Sequence, residues 1–185
     1  MRIDRQKSTR SHIPRGSGIL RRQSGQTLLE VALLTPLLLL MLLGVIEMGR
    51  YAYKGILVGN AARAGAAYGA QSLPQSACSP SSACAICDAA SLDFQGSNVP
   101  CTGGTQSTGP NGTITITTSN SCGCDSSGTI APAACVGTGA GTCVSGHWVV
   151  MVSVTASGTF SALFSYPGIP PSIAISRTCT MRVAN

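Results

Sequence analysis

Residues 25–46 read GQTLLEVALLTPLLLLMLLGVI, the longest apolar run in the chain. As a helix rising about 1.5 Å per residue, the apolar run from Leu28 to Ile46 would span roughly 28 Å, close to the ~30 Å hydrocarbon core of a bilayer. Glu30 is the only charged residue in the stretch. An ionisable group at the centre of a bilayer costs roughly 2.5–3.5 kcal/mol. The pattern therefore predicts a membrane-spanning helix in which Glu30, near one end, has a function that offsets this cost.

The net charge of the chain lies before this stretch. Seven basic residues and one acid precede Gly25, which gives +6, whereas five basic and five acidic residues follow it. Because Lys and Arg beside a transmembrane end stay on the cytoplasmic side, residues 1–25 are predicted to be a basic cytoplasmic leader. The domain after the helix is then outside the cytoplasm. No aromatic residue is interleaved with these basic side chains, so nucleic acid is not an expected partner.

Three interpretations compete for the apolar stretch. A secretory signal peptide would have a shorter core followed by a small-residue cleavage site, but this stretch runs into EMGR at residues 47–50. A plain anchor would leave Glu30 snorkelling toward the lipid head groups. A pilin-like segment accounts for both Gly25 and Glu30. A peptidase could cut between Gly25 and Gln26 and leave Glu30 close to the new N-terminus. We favour the pilin-like interpretation.

The helix is predicted to continue past the membrane, so that residues 26–70 form a transmembrane and extended N-terminal helix. Residues 51–69 contain no proline, and apolar residues dominate one face. Small residues recur there at spacings that let two helices approach closely. The alternative is a linker, since each glycine costs about 1 kcal/mol of helix stability relative to alanine. The glycines expected to mediate helix packing are Gly55, Gly59, Gly65 and Gly69.

These N-terminal residues resemble those of a known family. Gly25-Gln26 followed by Glu30, with Pro36 among the leucines, is similar to the start of TadE-like (TadE/TadG) pseudopilins. GVIEMGR at residues 44–50 and NAARAG at residues 60–65 extend the similarity. One position departs from the family, which usually has an aromatic residue where this chain has Val31.

The resemblance carries expectations about function. TadE-like proteins belong to bacterial tight-adherence (Tad, Flp) pilus systems, so it implies a minor pilin-like protein that takes part in assembly of a Tad-type pilus or related secretion apparatus. It also implies cleavage by a prepilin peptidase and partnership with other pilin-like subunits through the N-terminal helix. The expected location is the bacterial inner membrane, with the C-terminal domain in the periplasm and possible incorporation into an extracellular pilus.

The role of Glu30 can also be argued from charge alone. Cutting after Gly25 would expose the amine of Gln26, a positive charge near the membrane interface. A carboxylate from Glu30 of the same or an adjacent chain would neutralise this amine, and such a pair sets the register between helices more than it adds stability. Cleavage would also remove the whole +6 tail.

Residues 71–185 are predicted to form an extracytoplasmic, cysteine-rich β domain. Only five of these residues are charged, which suits a surface that packs against other subunits. All the cysteines lie here, on the side that the predicted topology places in an oxidising compartment, so we expect disulfides. Because their number, nine, is odd, one thiol is left over or joins another chain. The candidates are Cys78, Cys84, Cys87, Cys101, Cys122, Cys124, Cys135, Cys143 and Cys179.

Two other cysteine chemistries are not favoured. Cys84-Ala85-Ile86-Cys87 has zinc-knuckle spacing, but no second C-x-x-C pair accompanies it, so we expect no metal site. A C-x-x-C redox site would sit in a βαβ pattern, which is lacking around it. No cofactor is expected.

The predicted fold class is α+β, with a long N-terminal helix followed by a small antiparallel β-sheet domain with disulfide-stapled loops. Alternating or β-branched residues predict strands at 113–117, 147–155 and 173–183, the first of them after an Asn111-Gly112 turn. Residues 72–108 give no clear pattern and are expected to be a loop region held by cystines.

An enzyme is not predicted. His147 lies at a strand start, where a structural role is the ordinary one, and the serines and glycines form no nucleophile elbow or phosphate loop. The alternative function is an uncleaved, single-pass surface adhesin or ligand-binding module. That alternative predicts an exposed aromatic or polar groove on the distal domain, whereas the pilin-like interpretation predicts cleavage at Gly25.

Overall fold

The computed structural model describes residues 20–76, 85–135, 141–164 and 170–184, with side chains from residue 25 onward. Most of the predicted leader, as well as Cys78 and Cys84, lies outside the described residues. Three helices precede a five-stranded sheet, which confirms the α+β class. The elements are α1 (Leu20–Gly69), α2 (Leu73–Ser76), α3 (Ala85–Gln95), β1 (Gln106–Gly109), β2 (Gly112–Ser126), β3 (Thr129–Ala133), β4 (His147–Ser161) and β5 (Ser172–Arg182).

Helix α1 contains the whole predicted membrane stretch and continues to Gly69, so the interpretation of its glycines as a linker is wrong. The helix also passes through Pro36, whose ring nitrogen cannot donate a backbone hydrogen bond. Next to this proline, Thr35 Oγ1 donates to the carbonyl of Val31 at 2.6 Å. The chain divides into two compact units between Val45 and Ile46, and the C-terminal part of α1 belongs to the same unit as the sheet.

The sheet is antiparallel, with strand order β1-β2-β4-β5. Strand β1 pairs with the start of β2, and β3 pairs with its end, from Cys122↔Ala133 to Ser126↔Thr129. Strand β4 is central, because it pairs with β2 from Ile114↔Gly158 to Asp125↔His147 and with β5 from Met151↔Arg182 to Ser161↔Ser172. Its side chains alternate between buried and partly exposed along most of its length. The three predicted strands are therefore confirmed, and two of them are longer than the sequence pattern indicated.

The expectation of a loop over residues 72–108 is wrong for much of that region. Ile86, Cys87, Ala90 and Phe94 recur at helical spacing and are fully buried, so α3 forms there to cover the core. Strand β1 also falls in this range, and β3 was not predicted. The helical periodicity of the apolar residues in α3 is hard to recognise in the sequence, because they are few and lie within a polar, cysteine-rich segment.

Polar side chains join α3 to the β1–β2 hairpin. The hydroxyl of Ser91 lies 2.6 Å from that of Ser107, and both side chains are buried. Gln95 Nε2 donates to the carbonyl of Gly112 at 2.9 Å, while Gln95 Oε1 accepts from the amide of Asn111 at 3.0 Å. The predicted turn is shifted by one residue, because Gly109 pairs with Gly112 and leaves residues 110–111 as the loop.

The core lies between the C-terminal part of α1, helix α3 and one face of the sheet. Small side chains let α1 come close to the strands, as Ala61 and Ala66 are fully buried and Ala62 is 1% exposed. At Gly65 an added Cβ would lie 3.1 Å from a methyl of Val154, and at Gly69 it would lie 2.8 Å from Ile86. These two glycines therefore allow contact with the chain's own sheet and α3.

Three disulfides join described residues of this domain, which confirms that disulfides form. They join Cys87 to Cys101, Cys122 to Cys135, and Cys124 to Cys143. Each closes a short loop, and a loop of about 15 residues is worth roughly 3 kcal/mol in the chain-entropy account. Among the described residues, Cys179 on β5 is left as a free thiol.

The tight approach of α1 to the sheet predicts contrasting effects of one substitution at two glycines of this helix. Gly65→Val is expected to lower the free energy of unfolding by roughly 1–3 kcal/mol, because the branched side chain must displace Val154, Ala90 or Ile86. Gly49→Val, with nothing within 4 Å of the added Cβ, should change it by at most about 0.5 kcal/mol. Thermal unfolding of the full chain in detergent, followed by near-ultraviolet circular dichroism, measures both. Equal effects would contradict the packing.

Candidate membrane anchor and assembly surfaces

The predicted processing site lies on an exposed part of α1. Gly25, Gln26 and Glu30 are all exposed, and no heavy atom lies within 4 Å of a Cβ built on Gly25. On a helix, Gln26 and Glu30 are four residues apart and share one face. A Gln26 amine and the Glu30 carboxylate of one chain would therefore be neighbours. Cleavage itself stays a prediction.

Glu30 has no polar partner among the residues that the structure describes. After Glu30 the helix exposes apolar side chains along its length, with Leu33 77% exposed and Val45 70% exposed. Within the described ranges, the helix over Gly25–Gly69 is long and apolar enough to cross a membrane, and its most apolar window is not buried. Monomeric soluble proteins rarely expose a contiguous apolar surface of this extent. The segment therefore has the properties of a membrane anchor.

The other acid of this helix, Glu47, has a structural role that the sequence pattern did not reveal. Its side chain is 12% exposed and pairs with the Arg50 guanidinium at 2.9 Å. The second carboxylate oxygen accepts from the backbone amide of Leu163 at 2.5 Å. Glu47 thus joins α1 to the segment after β4. Sequence analysis offered no signal for this contact, since the two residues are far apart in the chain.

Aromatic contacts surround this ion pair. The Arg50 guanidinium lies 5.4 Å from the centroid of the Phe160 ring, and Tyr51 meets the same ring edge-on at 5.6 Å. Tyr53 is 60% exposed and Leu163 is 60% exposed. Exposed aromatic and apolar side chains directly after an apolar span are typical of the membrane–water interface.

Lys54, one turn further along, faces the domain. Its ammonium lies 4.5 Å from the centroid of the Phe94 ring and donates to the carbonyl of Asn111. Burial lowers the pKa of Lys54 from its ordinary value. Lys54 therefore fixes α1 to α3 and to the β1–β2 turn.

The glycines expected to mediate packing between helices do not share one environment. Gly65 and Gly69 contact the chain's own domain. A Cβ added at Gly55 would meet open space, and one added at Gly59 would lie 3.9 Å from the Arg177 side chain. Only the second pair faces a surface that another molecule could reach. Association between chains through this helix stays a prediction.

No group of three or more His, Cys, Asp or Glu residues that could hold a metal is present in the described part of the chain. His147 is exposed at the first position of β4, paired with Asp125 of β2 in the sheet register. The Asp125 carboxylate binds Arg182 at 3.1 Å. These groups are structural or exposed, and they form no arrangement with an evident catalytic role.

Residues 25–67 match the family model described as TadE-like protein. The match covers the exposed apolar helix, Glu30, Glu47 and part of the helix that packs on the sheet. It confirms the resemblance over these residues, so that this part of the chain is TadE-like. The family is one of pilus components and is not known for enzymes. No curated protein and no solved structure gives a significant match to the chain.

The two acids of α1 predict different responses to the same substitution. Glu47→Ala is expected to lower the free energy of unfolding by roughly 1–2 kcal/mol, because the Leu163 amide and Arg50 lose their acceptor. Glu30→Ala removes an exposed carboxylate without a partner and should leave this free energy within about 0.5 kcal/mol. Thermal unfolding of the full chain in detergent measures both. A loss at Glu30 as large as that at Glu47 would contradict the assignment.

Proposed function

We propose that this chain is a minor pilin-like (pseudopilin) protein of the bacterial inner membrane that takes part in assembly of a Tad-type (Flp) pilus or a related secretion apparatus. One observation carries the proposal. An exposed apolar helix, with a carboxylate shortly after a glycine, runs into a disulfide-stapled sheet domain, and residues 25–67 match the TadE-like family. Neither the architecture alone nor the family match alone would distinguish a pilin-like subunit from an ordinary anchored protein.

The charge distribution supports the orientation in this proposal. The basic residues before Gly25 favour a cytoplasmic N-terminus. Every cysteine lies on the opposite side of the apolar stretch, and disulfides persist in oxidising compartments such as the periplasm. The exposed side chains of Tyr53 and Leu163 would then lie at the periplasmic interface of the inner membrane. Both charge and cysteine chemistry therefore favour the same topology.

Processing by a prepilin peptidase would change how the chain interacts with the membrane. Cleavage between Gly25 and Gln26 removes the +6 tail and leaves a formally neutral chain. The new amine of Gln26 lies one turn from Glu30 on the same face of α1, so the pair offsets two charges in an apolar setting. A neutral, apolar helix can pack among other pilin-like helices instead of being held at the cytoplasmic surface by basic residues.

A second candidate function is an uncleaved, membrane-anchored surface adhesin or ligand-binding module. It is favoured by an exposed groove of about 320 Å³ lined by residues that include Tyr51, Arg63 and Arg177. That alternative predicted a groove on the distal domain, whereas seven of the nine residues that line this groove lie on α1 and only Ile175 and Arg177 belong to the distal domain. The two functions differ in what happens at Gly25, because only the pilin-like subunit requires a cut there.

The proposal predicts the mass of the mature chain. The chain is extracted from membranes of cells with an active prepilin peptidase and of cells with an inactivated one, and its intact mass is measured. We expect a species beginning at Gln26 only when the peptidase is active. Gly25→Leu should block this cut, whereas Gly44→Leu, another exposed helix position with no atom within 4 Å, should not.

Each other outcome bears on a different function. A full-length chain from both cell types would overturn the pilin-like processing and favour the anchored adhesin. A cut beyond Glu47 would instead indicate ordinary secretion by a signal peptide.

A further inference from the structure

Strand β4 runs back along α1 toward the apolar stretch. A Cβ added at Gly69 would lie 3.1 Å from a methyl of Val152, and one added at Gly158 would lie 3.4 Å from a methyl of Val58. As the residue number rises along the strand, it therefore falls along the helix. The chain that leaves β4 after Ser161 thus emerges beside the part of α1 that directly follows the apolar stretch.

The residues that emerge there present apolar side chains outward. Leu163 is 60% exposed and Phe164 is 47% exposed, and we call these two residues the post-β4 segment. No Asp, Glu, Lys or Arg residue occurs in the sequence between Phe160 and Arg177. Adjacent exposed apolar side chains without nearby charge in the chain are typical of a surface that contacts a membrane or a partner.

Glu47 fixes the level of the post-β4 segment along α1. Its carboxylate accepts from the backbone amide of Leu163 at 2.5 Å, and a helical side chain reaches back toward the N-terminal end of its own helix. The Leu163 amide therefore lies level with Glu47 or on its N-terminal side. Because the apolar run ends one residue earlier, at Ile46, the post-β4 segment is held at the depth at which α1 leaves the membrane.

The charged groups beside the post-β4 segment are already paired. Glu47 binds the Arg50 guanidinium at 2.9 Å, and this guanidinium lies 5.4 Å from the centroid of the Phe160 ring. Tyr51 meets the same ring edge-on. Paired charges cost less to bring toward lipid than single ones, and amphipathic rings are enriched where a protein meets the membrane–water interface. The surroundings of the segment therefore match a lipid surface.

We propose that the post-β4 segment inserts its Leu163 and Phe164 side chains into the periplasmic leaflet of the membrane that α1 spans. The inference rests on the membrane topology in the proposed function and does not depend on cleavage at Gly25. The chain then has two lipid contacts, the span and the segment tied to it by Glu47. Since interfacial anchors set the rotation of a membrane helix about its own axis, this second contact fixes how the sheet domain is oriented on the membrane surface.

Fluorescence quenching by brominated lipids tests the proposal. The full-length chain is reconstituted into vesicles of phosphatidylcholine and phosphatidylglycerol whose acyl chains carry bromine close to the head groups, and Trp148, the only tryptophan, gives the background. Leu163→Trp and Phe164→Trp place a probe in the segment. The matched control is Ile130→Trp, an exposed apolar position on β3, which pairs with the end of β2 that lies beside the start of β4. Leu42→Trp marks the apolar stretch.

We expect the tryptophans at 163 and 164, like that at 42, to lose at least several-fold more fluorescence to brominated lipid than the tryptophan at 130. All four replaced side chains are exposed, so each variant should keep the wild-type unfolding temperature in detergent, which is measured in parallel. If one of the two segment variants does not fold, the other decides the result.

The outcomes separate this inference from the proposed function. No quenching at 163 or 164, with strong quenching at 42, would overturn insertion and leave the proposed function standing. Protection of these two positions from aqueous iodide without quenching by lipid would show that a second copy covers the segment, which would also overturn insertion. If the tryptophan at 42 is not quenched either, α1 does not span the membrane and both are overturned.

Discussion

The close packing of the C-terminal part of α1 against the sheet is the constraint on which the rest of the structure depends. Alanines and glycines along one face of the helix let it touch Val152, Val154 and α3 directly. Since the core has few large side chains, its stability rests on this contact and on disulfides, three of which join described residues. The same helix, α1, also carries the exposed apolar stretch at its N-terminal end.

The two ends of α1 make different use of carboxylates. Glu47 is held by Arg50 and the Leu163 amide, and it ties the helix to its own domain. Glu30 has no partner among the described residues. The free-energy cost of placing its carboxylate in an apolar setting is therefore offset only by a group of another molecule or by the Gln26 amine that cleavage would expose. This contrast is the physical basis for assigning a structural role to Glu47 and for proposing an assembly role for Glu30.

The sequence predicted a helix or strand correctly wherever an apolar run or a residue alternation extended over many residues. The apolar stretch, the continuation of α1 and the strands around 147–155 and 173–183 were predictable because each repeats its pattern over many residues. The sequence pattern did not predict helix α3, because its apolar positions are few and include Cys87, a residue that sequence reasoning assigns to disulfide or metal chemistry and not to the core. Disulfide partners and the contact from Glu47 to Leu163 depend on tertiary distances, which spacing in one sequence does not encode.

The most direct test of the account is whether pilus assembly needs this chain. Pili are counted by electron microscopy on cells that lack it and on the same cells with the wild-type chain restored. Pili should be largely lost without the chain and should recover when it is supplied. Normal pilus numbers in its absence would contradict a role in assembly and leave an anchored surface protein.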